Sequence, residues 1–364
     1  MVSQTEGEFL CLHEIVHRAH NNLNRNYWDY LAGGSESEAT LRRNRAALDR
    51  LALKHRVLRN VSRVSARRNV LGQDLRLPVL LAPIGSLQSF DPDGGAAASR
   101  AAHAFGTMNI QSSVSEPGLE ETAAAAPNPK VFQLYVRGDD DWVDGIARRA
   151  IAAGYTAFCI TVDTAHYSRR ERDIAKRFVK PWRIDNRNME FQGAFSWDNV
   201  KRFKDRHDIP LVIKGIGAGE DAALCVEHGV DVVYISNHGG RQLDAGRGAL
   251  DILPEAVAAV DGRAEVWVDG GILRGTDVVK ALALGASAVG IGRLSAAALA
   301  ANGEAGVVAM LELLEDEVVT ALGLMGCTGW QDLDPDYVAR AGLTAQPSVF
   351  SAYPLLDLEE TGYN

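Results

Sequence analysis

From residue 78 onward, short apolar runs rich in Val, Ile and Leu alternate with alanine-rich stretches of helical period. The apolar runs fall at 78–85, 108–113, 131–136, 157–163, 210–215, 232–237, 265–271 and 288–293. They are bounded by polar or glycine positions and have the length of buried strands. Segments of helical pattern follow them at 94–105, 119–126, 141–153, 197–207, 219–228, 250–260, 276–284 and 304–322. Strand–helix alternation favours a parallel sheet with helical crossovers. Eight such units predict an α/β fold of the (β/α)8 TIM-barrel type rather than an open doubly wound sheet.

The first 77 residues break this rhythm. Stretches 9–22 and 36–48 have a helical pattern, and 61–77 reads as a small hairpin leading into the first barrel strand. An N-terminal helical and hairpin extension is expected, covering the N-terminal end of the barrel and contributing to its site. The polar stretch from Arg170 to Trp197 is a loop after the fourth strand, on the face where barrels place their chemistry. The tail carries Trp330, Tyr337, Phe350, Tyr353 and Tyr363, which suit packing on the barrel or on a neighbouring subunit. The expectation is one domain over 1–364, with the extension at 1–77, the barrel at 78–327 and the tail at 328–364.

Composition narrows the function class. The net charge of −9 argues against non-specific nucleic-acid binding, which needs a basic surface. No apolar run approaches the ~20 residues that span a bilayer, and the acidic N-terminus has no signal-peptide core. Cys11, Cys159, Cys225 and Cys327 form no CxxC pair or zinc spacing. Cys159 and Cys225 lie in apolar patterns and are expected to be buried thiols, as in a reducing cytoplasm. His13, His17 and His20 share a helix without carboxylate support, so no metal site is expected. His103, His207 and His228 are expected to be solvated.

The strand ends carry the candidate chemistry. In sequence order they present Pro83, Ile84 and Gly85; Gln111 and Ser112; Gln133 and Tyr135; Thr161 and Asp163; Lys214; Ser236 and His238; Asp269, Gly270 and Gly271; and Gly292 with Arg293. Buried polar groups are costly unless paired, so a polar residue at nearly every strand end points to a site. The most informative run is Ser-Asn-His-Gly-Gly-Arg-Gln-Leu-Asp at 236–244. It sets a base, His238, three residues from a fixed cation, Arg241, just past a strand. Asp269-Gly270-Gly271 and Gly292-Arg293 stand beside helix starts after strands 7 and 8, where backbone N–H groups bind phosphate in barrels.

Together with Trp28-Asp-Tyr30, Phe132-Gln-Leu-Tyr135, Thr161-Val-Asp163, Arg169-Arg170, Lys214-Gly215 and Ile291-Gly-Arg293, these residues resemble the FMN-dependent 2-hydroxy-acid oxidase and dehydrogenase family. The likeness runs from about residue 28 to 327. It implies FMN as cofactor and a small carboxylate substrate in a homo-oligomer of four or eight subunits; the charge and the apolar runs add the expectation of no nucleic-acid or membrane partner. It implies His238 as the base, Asp163 orienting it, and Arg170 and Arg241 clamping the substrate carboxylate. Tyr30 and Tyr135 would donate hydrogen bonds to substrate. Lys214 would stabilise the reduced cofactor. Pro83, Ile84, Gly85, Ser112, Gln133, Thr161, Ser236, Asp269, Gly270, Gly271, Gly292 and Arg293 would hold FMN, the last two at its phosphate.

Four departures bear on specificity. Leu273 stands where the family commonly has an arginine near the phosphate, with Arg274 as a candidate substitute. Gly85 replaces a frequent alanine and is expected to leave more room near the cofactor. Val114 replaces a bulky aromatic, which disfavours glycolate. Ala165-His166-Tyr167 lacks the usual proline. The expected activity is oxidation of a 2-hydroxy acid larger than glycolate to the 2-oxo acid. Two alternatives stand beside it. The same barrel could oxidise a modified peptide or amino-acid-derived substrate, or it could be a degenerate, non-catalytic barrel that binds a phosphate ligand.

Overall fold

The computed structural model describes residues 8–178 and 189–356. Helices α1 (Leu12–Asn22), α2 (Arg25–Ala32) and α3 (Ala39–Asp49) come first, then β1 (Leu51–Leu53) and the hairpin β2 (Arg68–Val70) and β3 (Gln73–Leu75). Eight parallel strands then close into a barrel. They are β4 (Val79–Leu81), β5 (Asn109–Ser112), β6 (Lys130–Leu134), β7 (Ala157–Thr161), β8 (Leu211–Ile216), β9 (Val232–Ile235), β10 (Glu265–Asp269) and β11 (Ala288–Ile291). The crossover helices are α4 (Gly94–Phe105), α5 (Leu119–Ala125), α6 (Asp140–Ala152), α7 (Glu171–Ala175), α8 (Met189–Ala194), α9 (Trp197–Arg206), α10 (Gly219–Glu227), α11 (Ala249–Val260), α12 (Gly275–Ala283) and α13 (Arg293–Leu324). The expected (β/α)8 barrel is present, with every strand but β8 ending earlier than its apolar run.

Polarity is divided along the barrel axis. Leu80, Ile110, Val131, Cys159, Val212, Tyr234 and Trp267 belong to one apolar cluster that also contains Val70 and Leu75 of the β2–β3 hairpin. The hairpin therefore closes the N-terminal end, with the Leu71 N–H donating to the Glu265 carboxylate at 2.6 Å. An apolar plug here leaves the strand C-termini as the one end where polar side chains gather.

Helix α2, the pairing of β1, the start of α13 and the side chain of His207 differ from expectation, as do α7 and α8, which fall in the stretch read as a loop. Helix α2 falls in a stretch assigned no element. Its aromatic-rich sequence has modest helix propensity, but Asn24 caps it by accepting from the N–H groups of Asn26 and Tyr27. Strand β1 pairs with β12 (Val338–Arg340), a contact across nearly the whole chain that no local pattern marks. Helix α13 begins at Arg293 instead of residue 304, because non-helical Asn302 and Gly303 (φ 55°) break the pattern partway along it. His207, expected in solvent, is buried and lies 3.0 Å from the Asp144 carboxylate.

The tail packs on the barrel as its aromatics suggested. Phe350 stacks on Trp28 with ring centroids 5.5 Å apart, and the buried Tyr353 hydroxyl donates to the Leu273 carbonyl at 2.6 Å. Tyr363 lies outside the described residues. Cys159, Cys225 and Cys327 are buried, unbridged thiols. Among the described residues no helix is long and apolar enough to cross a membrane.

Candidate active site

The loop after β9 sets the central residue. His238, Gly239 and Gly240 all have left-handed backbones, with φ of 58°, 65° and 75°. A side chain at Gly240 would place its Cβ 2.4 Å from the Leu41 nitrogen, so close approach to α3 requires glycine there. Asn237 and Asn44 exchange amide hydrogen bonds of 2.7 and 2.8 Å, and the Ser236 hydroxyl accepts from the His238 N–H at 3.0 Å. These contacts hold His238 in a conformation that costs a non-glycine residue energy.

His238 Nδ1 lies 3.0 Å from Asp163 Oδ1, and its Nε2 lies 3.3 Å from the Tyr135 hydroxyl. An ionised carboxylate can only accept, so Nδ1 carries the hydrogen and Nε2 keeps its lone pair. Asp163 comes this close to β8 because residue 215 is glycine. A Cβ there would sit 2.7 Å from the Asp163 Cβ, and Gly215 adopts φ 110° at an irregularity in β8. Beside the pair, Lys214 Nζ donates to the Ser236 hydroxyl at 2.8 Å and lies 3.1 Å from Asp269. Burial opposes the charge on Lys214, but the Asp269 and Asp163 carboxylates outweigh it and raise its pKa.

Burial lowers the pKa of His238 below its usual 6.5, outweighing the Asp163 carboxylate, and the Lys214 and Arg170 cations push the same way. The imidazole is thus neutral at pH 7 and able to take a proton. A group with a depressed pKa loses its neutral form only as pH falls through that lowered value. We therefore expect kcat/KM to stay level near neutrality and to drop on an acid limb whose pKa lies below 6.5. A pH–rate profile with its acid limb above 7 would contradict this.

Three arginines crowd the same end of the barrel. Arg241 donates to the carbonyls of Tyr30 and Gly33 at 2.7 and 2.8 Å and lies over the Tyr30 ring. Arg293 donates to the carbonyls of Leu31 and Gly33 at 3.1 and 2.9 Å. The C-terminal carbonyls of α2 therefore anchor both guanidinium groups. Burial, with Arg170 adding repulsion, lowers Arg241 to about 10. Burial, with Arg241 as the next cause, lowers Arg293 to about 9. Arg170 has a buried Nε with no hydrogen-bond partner. Such a cluster favours bound anions.

A cavity of about 250 Å³ runs through this region. It is lined by Tyr30, Pro83, Ile84, Gly85, Tyr135, Arg170, Lys214, His238, Arg241, Asp269, Gly270, Gly271, Gly292 and Arg293. Ser112, Gln133, Thr161 and Ser236 are buried at the strand ends but do not line it. Both amide atoms of Gln133 and the Thr161 hydroxyl are buried without partners. Native proteins rarely leave such groups unsatisfied. A donor, an acceptor and a hydroxyl suit a planar group with an amide-like edge, and a Cβ on Gly292 would meet nothing within 4 Å, which leaves room at the start of α13. These residues fit FMN. Ser112 accepts a hydrogen bond of 3.4 Å from the Val114 N–H.

The structure revises two expectations. A Cβ on Gly85 would sit 2.8 Å from Val114 Cγ2, so the space left by Gly85 is filled by Val114 and the two departures are one coupled change. Arg274 does not stand in for the arginine replaced by Leu273. It pairs with Glu317 at 2.7 Å, donates to the Ala352 carbonyl and lies over the Tyr353 ring. His166 and Tyr167, in the stretch that lacks the usual proline, line the same cavity as His238.

Sequence reasoning missed several lining residues: Asn44, Arg45, Phe90, Arg137, Met189 and Val349. Arg45 is held by Asp277 at 2.7 Å and by Asp49. Only Arg137 had a local signal. It continues the alternation of Gln133 and Tyr135 beyond β6. Cys11, His13 and Glu14 offer ligand atoms within 4.8 Å of one another, but Glu14 already accepts from the Leu10 N–H and the Cys11 thiol.

A model of the FMN-dependent dehydrogenase family matches residues 19–340. L-lactate oxidase of a Nostoc species is 39% identical over 90% of this chain and 97% of that protein. Glycolate oxidase 1 of Oryza sativa subsp. indica is 38% identical over 92% and 98%. Among solved structures, mandelate oxidase with 3,3-difluoro-2-hydroxy-3-phenylpropionic acid superposes with a TM-score of 0.84 at 40% identity, covering 89% of this chain and 97% of that one. A soluble mutant of the membrane-associated (S)-mandelate dehydrogenase of Pseudomonas putida gives 0.86 at 34% identity, covering 91% and 99%. With nearly full coverage of each relative and a histidine, carboxylate and arginine cluster at the strand ends, the chain belongs to the FMN-dependent dehydrogenase family.

Proposed function

We propose that this enzyme oxidises a 2-hydroxy acid larger than glycolate to the 2-oxo acid, and that the residues gathered around His238 perform it. The carrying observation is His238 Nε2, facing the Tyr135 hydroxyl with Asp163 behind it and Arg170 and Arg241 in the same cavity. Arg170 and Arg241 bind the carboxylate, since guanidinium matches it bidentately. Tyr30 and Tyr135 donate to the substrate oxygens, and burial keeps the Tyr135 phenol protonated. His238 accepts a proton from the substrate, and Asp163 stabilises the imidazolium that forms.

Bound FMN supplies the two-electron acceptor, and oxygen or another acceptor takes the electrons on. Lys214 offers a fixed positive charge to the reduced cofactor. Gln133 and Thr161 meet its polar edge, with Ser112 and Ser236 beside them. Pro83, Ile84 and Gly85 would back it, Asp269 would stand beside Lys214 and Ser236, and Gly270, Gly271, Gly292 and Arg293 would form the phosphate end. The extension, barrel and tail serve one catalytic unit. The same reading makes it a cytoplasmic homo-oligomer of four or eight subunits, supported by its unbridged cysteines and its family.

The test is anaerobic mixing of the yellow holoenzyme with a panel of 2-hydroxy acids, following loss of the flavin band. Bleaching by acids larger than glycolate is expected. A flavin that no 2-hydroxy acid bleaches, but an amino-acid-derived substrate does, would replace this reading. Peroxide release on repeating the positive case in air identifies oxygen as acceptor.

A further inference from the structure

One cation in the cavity has no work in the chemistry just described. Arg137 follows β6 and lines the cavity together with Tyr135, Thr164, Tyr167 and Met189. Gln133, Tyr135 and Arg137 are spaced two residues apart along and beyond the end of β6, and the last two line the cavity. The first lies at the strand end, the second reaches His238, and the third stands farther out. Arg137 Nε is buried and has no hydrogen-bond partner. Its Nη1 rests against the Met189 sulfur, a weak acceptor with no charge. Among the described residues no carboxylate pairs with it. Burial, with only the Tyr135 and Tyr167 phenols opposing, lowers its pKa. A half-buried guanidinium without a counter-charge is unfavourable by itself and is relieved by an anion from outside the chain.

The substrate's own carboxylate does not account for Arg137, since Arg170 and Arg241 already stand with His238. We propose that Arg137 receives a second carboxylate at the far end of the substrate, making the preferred substrate a 2-hydroxydicarboxylate. This rests on the function proposed above and names its substrate class. Arg137 is then a specificity-determining residue. It holds the substrate tail, while His238 acts near the other end. Side chains two residues apart on an extended strand are rooted roughly 7 Å from one another, a separation suited to a short dicarboxylic acid. Val114 contributes an apolar wall to the same cavity.

The test pairs 2-hydroxyglutarate with 2-hydroxyvalerate, which has the same chain length and lacks the second carboxylate. Anaerobic reduction of the holoenzyme gives kcat/KM for each. The diacid is expected to be favoured by ~10- to 100-fold, the worth of a hydrogen-bonded contact between charged groups. Arg137→Met should remove most of that ratio, chiefly through KM, and Arg137→Lys should restore part of it. A readout independent of turnover is thermal stabilisation of the holoenzyme, expected to be larger with 2-oxoglutarate than with 2-oxovalerate and equal for the two in Arg137→Met. Equal or better use of the monoacid by the unmodified enzyme overturns the assignment and leaves the proposed function standing. Failure of both acids, and of the wider panel of 2-hydroxy acids, removes both.

Discussion

His238→Asn is expected to slow substrate oxidation by ~10²- to 10⁴-fold, the range for loss of a positioned general base, with FMN still bound. Asparagine suits the test because it tolerates the left-handed backbone that His238 adopts at φ 58°. Alanine would add strain and confuse a folding defect with a chemical one. The rest of the site should persist. Lys214 keeps its bonds to Ser236 and Asp269, and the orphaned Gln133 and Thr161 groups stay in place. Stopped-flow mixing measures the rate and the absorbance spectrum measures FMN content. A variant that oxidises substrate at the full rate would remove His238 as the base. A colourless variant would show that the loop holds the cofactor as well.

Arg170→Met is expected to lower kcat/KM by ~10²- to 10³-fold, mostly through KM. Truncating one partner of a buried, hydrogen-bonded charge pair costs about 2–5 kcal/mol, which includes that range. Arg170 is a cleaner probe of the carboxylate clamp than Arg241. Arg241 also ties down the carbonyls of Tyr30 and Gly33, so its loss would loosen α2 and displace Tyr30. Arg170 Nε has no such bond. Removing its charge should also raise the His238 pKa, because Arg170 is one of the cations that depress it. The acid limb of the pH profile should therefore move upward in this variant. An unchanged KM together with an unmoved acid limb would place Arg170 outside the substrate site.

The contrast between Gly85 and Arg137 shows how far local pattern reaches. Gly85 and Val114 were both legible as departures, yet their meaning changed once they faced each other across β4 and β5. The valine methyl fills the space that the glycine leaves. Arg137 continued the alternation of Gln133 and Tyr135, but that spacing said nothing of its missing partner, which is a property of the space around it. Helix α2 was missed for a related reason. Eight residues of modest propensity hold together through the Asn24 cap and through packing, and α2 then supplies both Tyr30 and the carbonyls that anchor Arg241 and Arg293.

The sequence by itself determined the barrel, since eight apolar runs each followed by a helical stretch leave few ways to bury the sheet. It also determined the His238 loop and the residues at the strand ends, because the closed barrel brings those ends to one face. Tertiary structure alone decided the state of those residues. It set the neutral His238, with burial outweighing Asp163. It fixed the anchoring of Arg241 and Arg293 by backbone carbonyls, and it turned Arg274 away towards Glu317. Charge state and hydrogen-bond satisfaction depend on neighbours from 43 to more than 200 residues away along the chain, and periodicity carries no record of them.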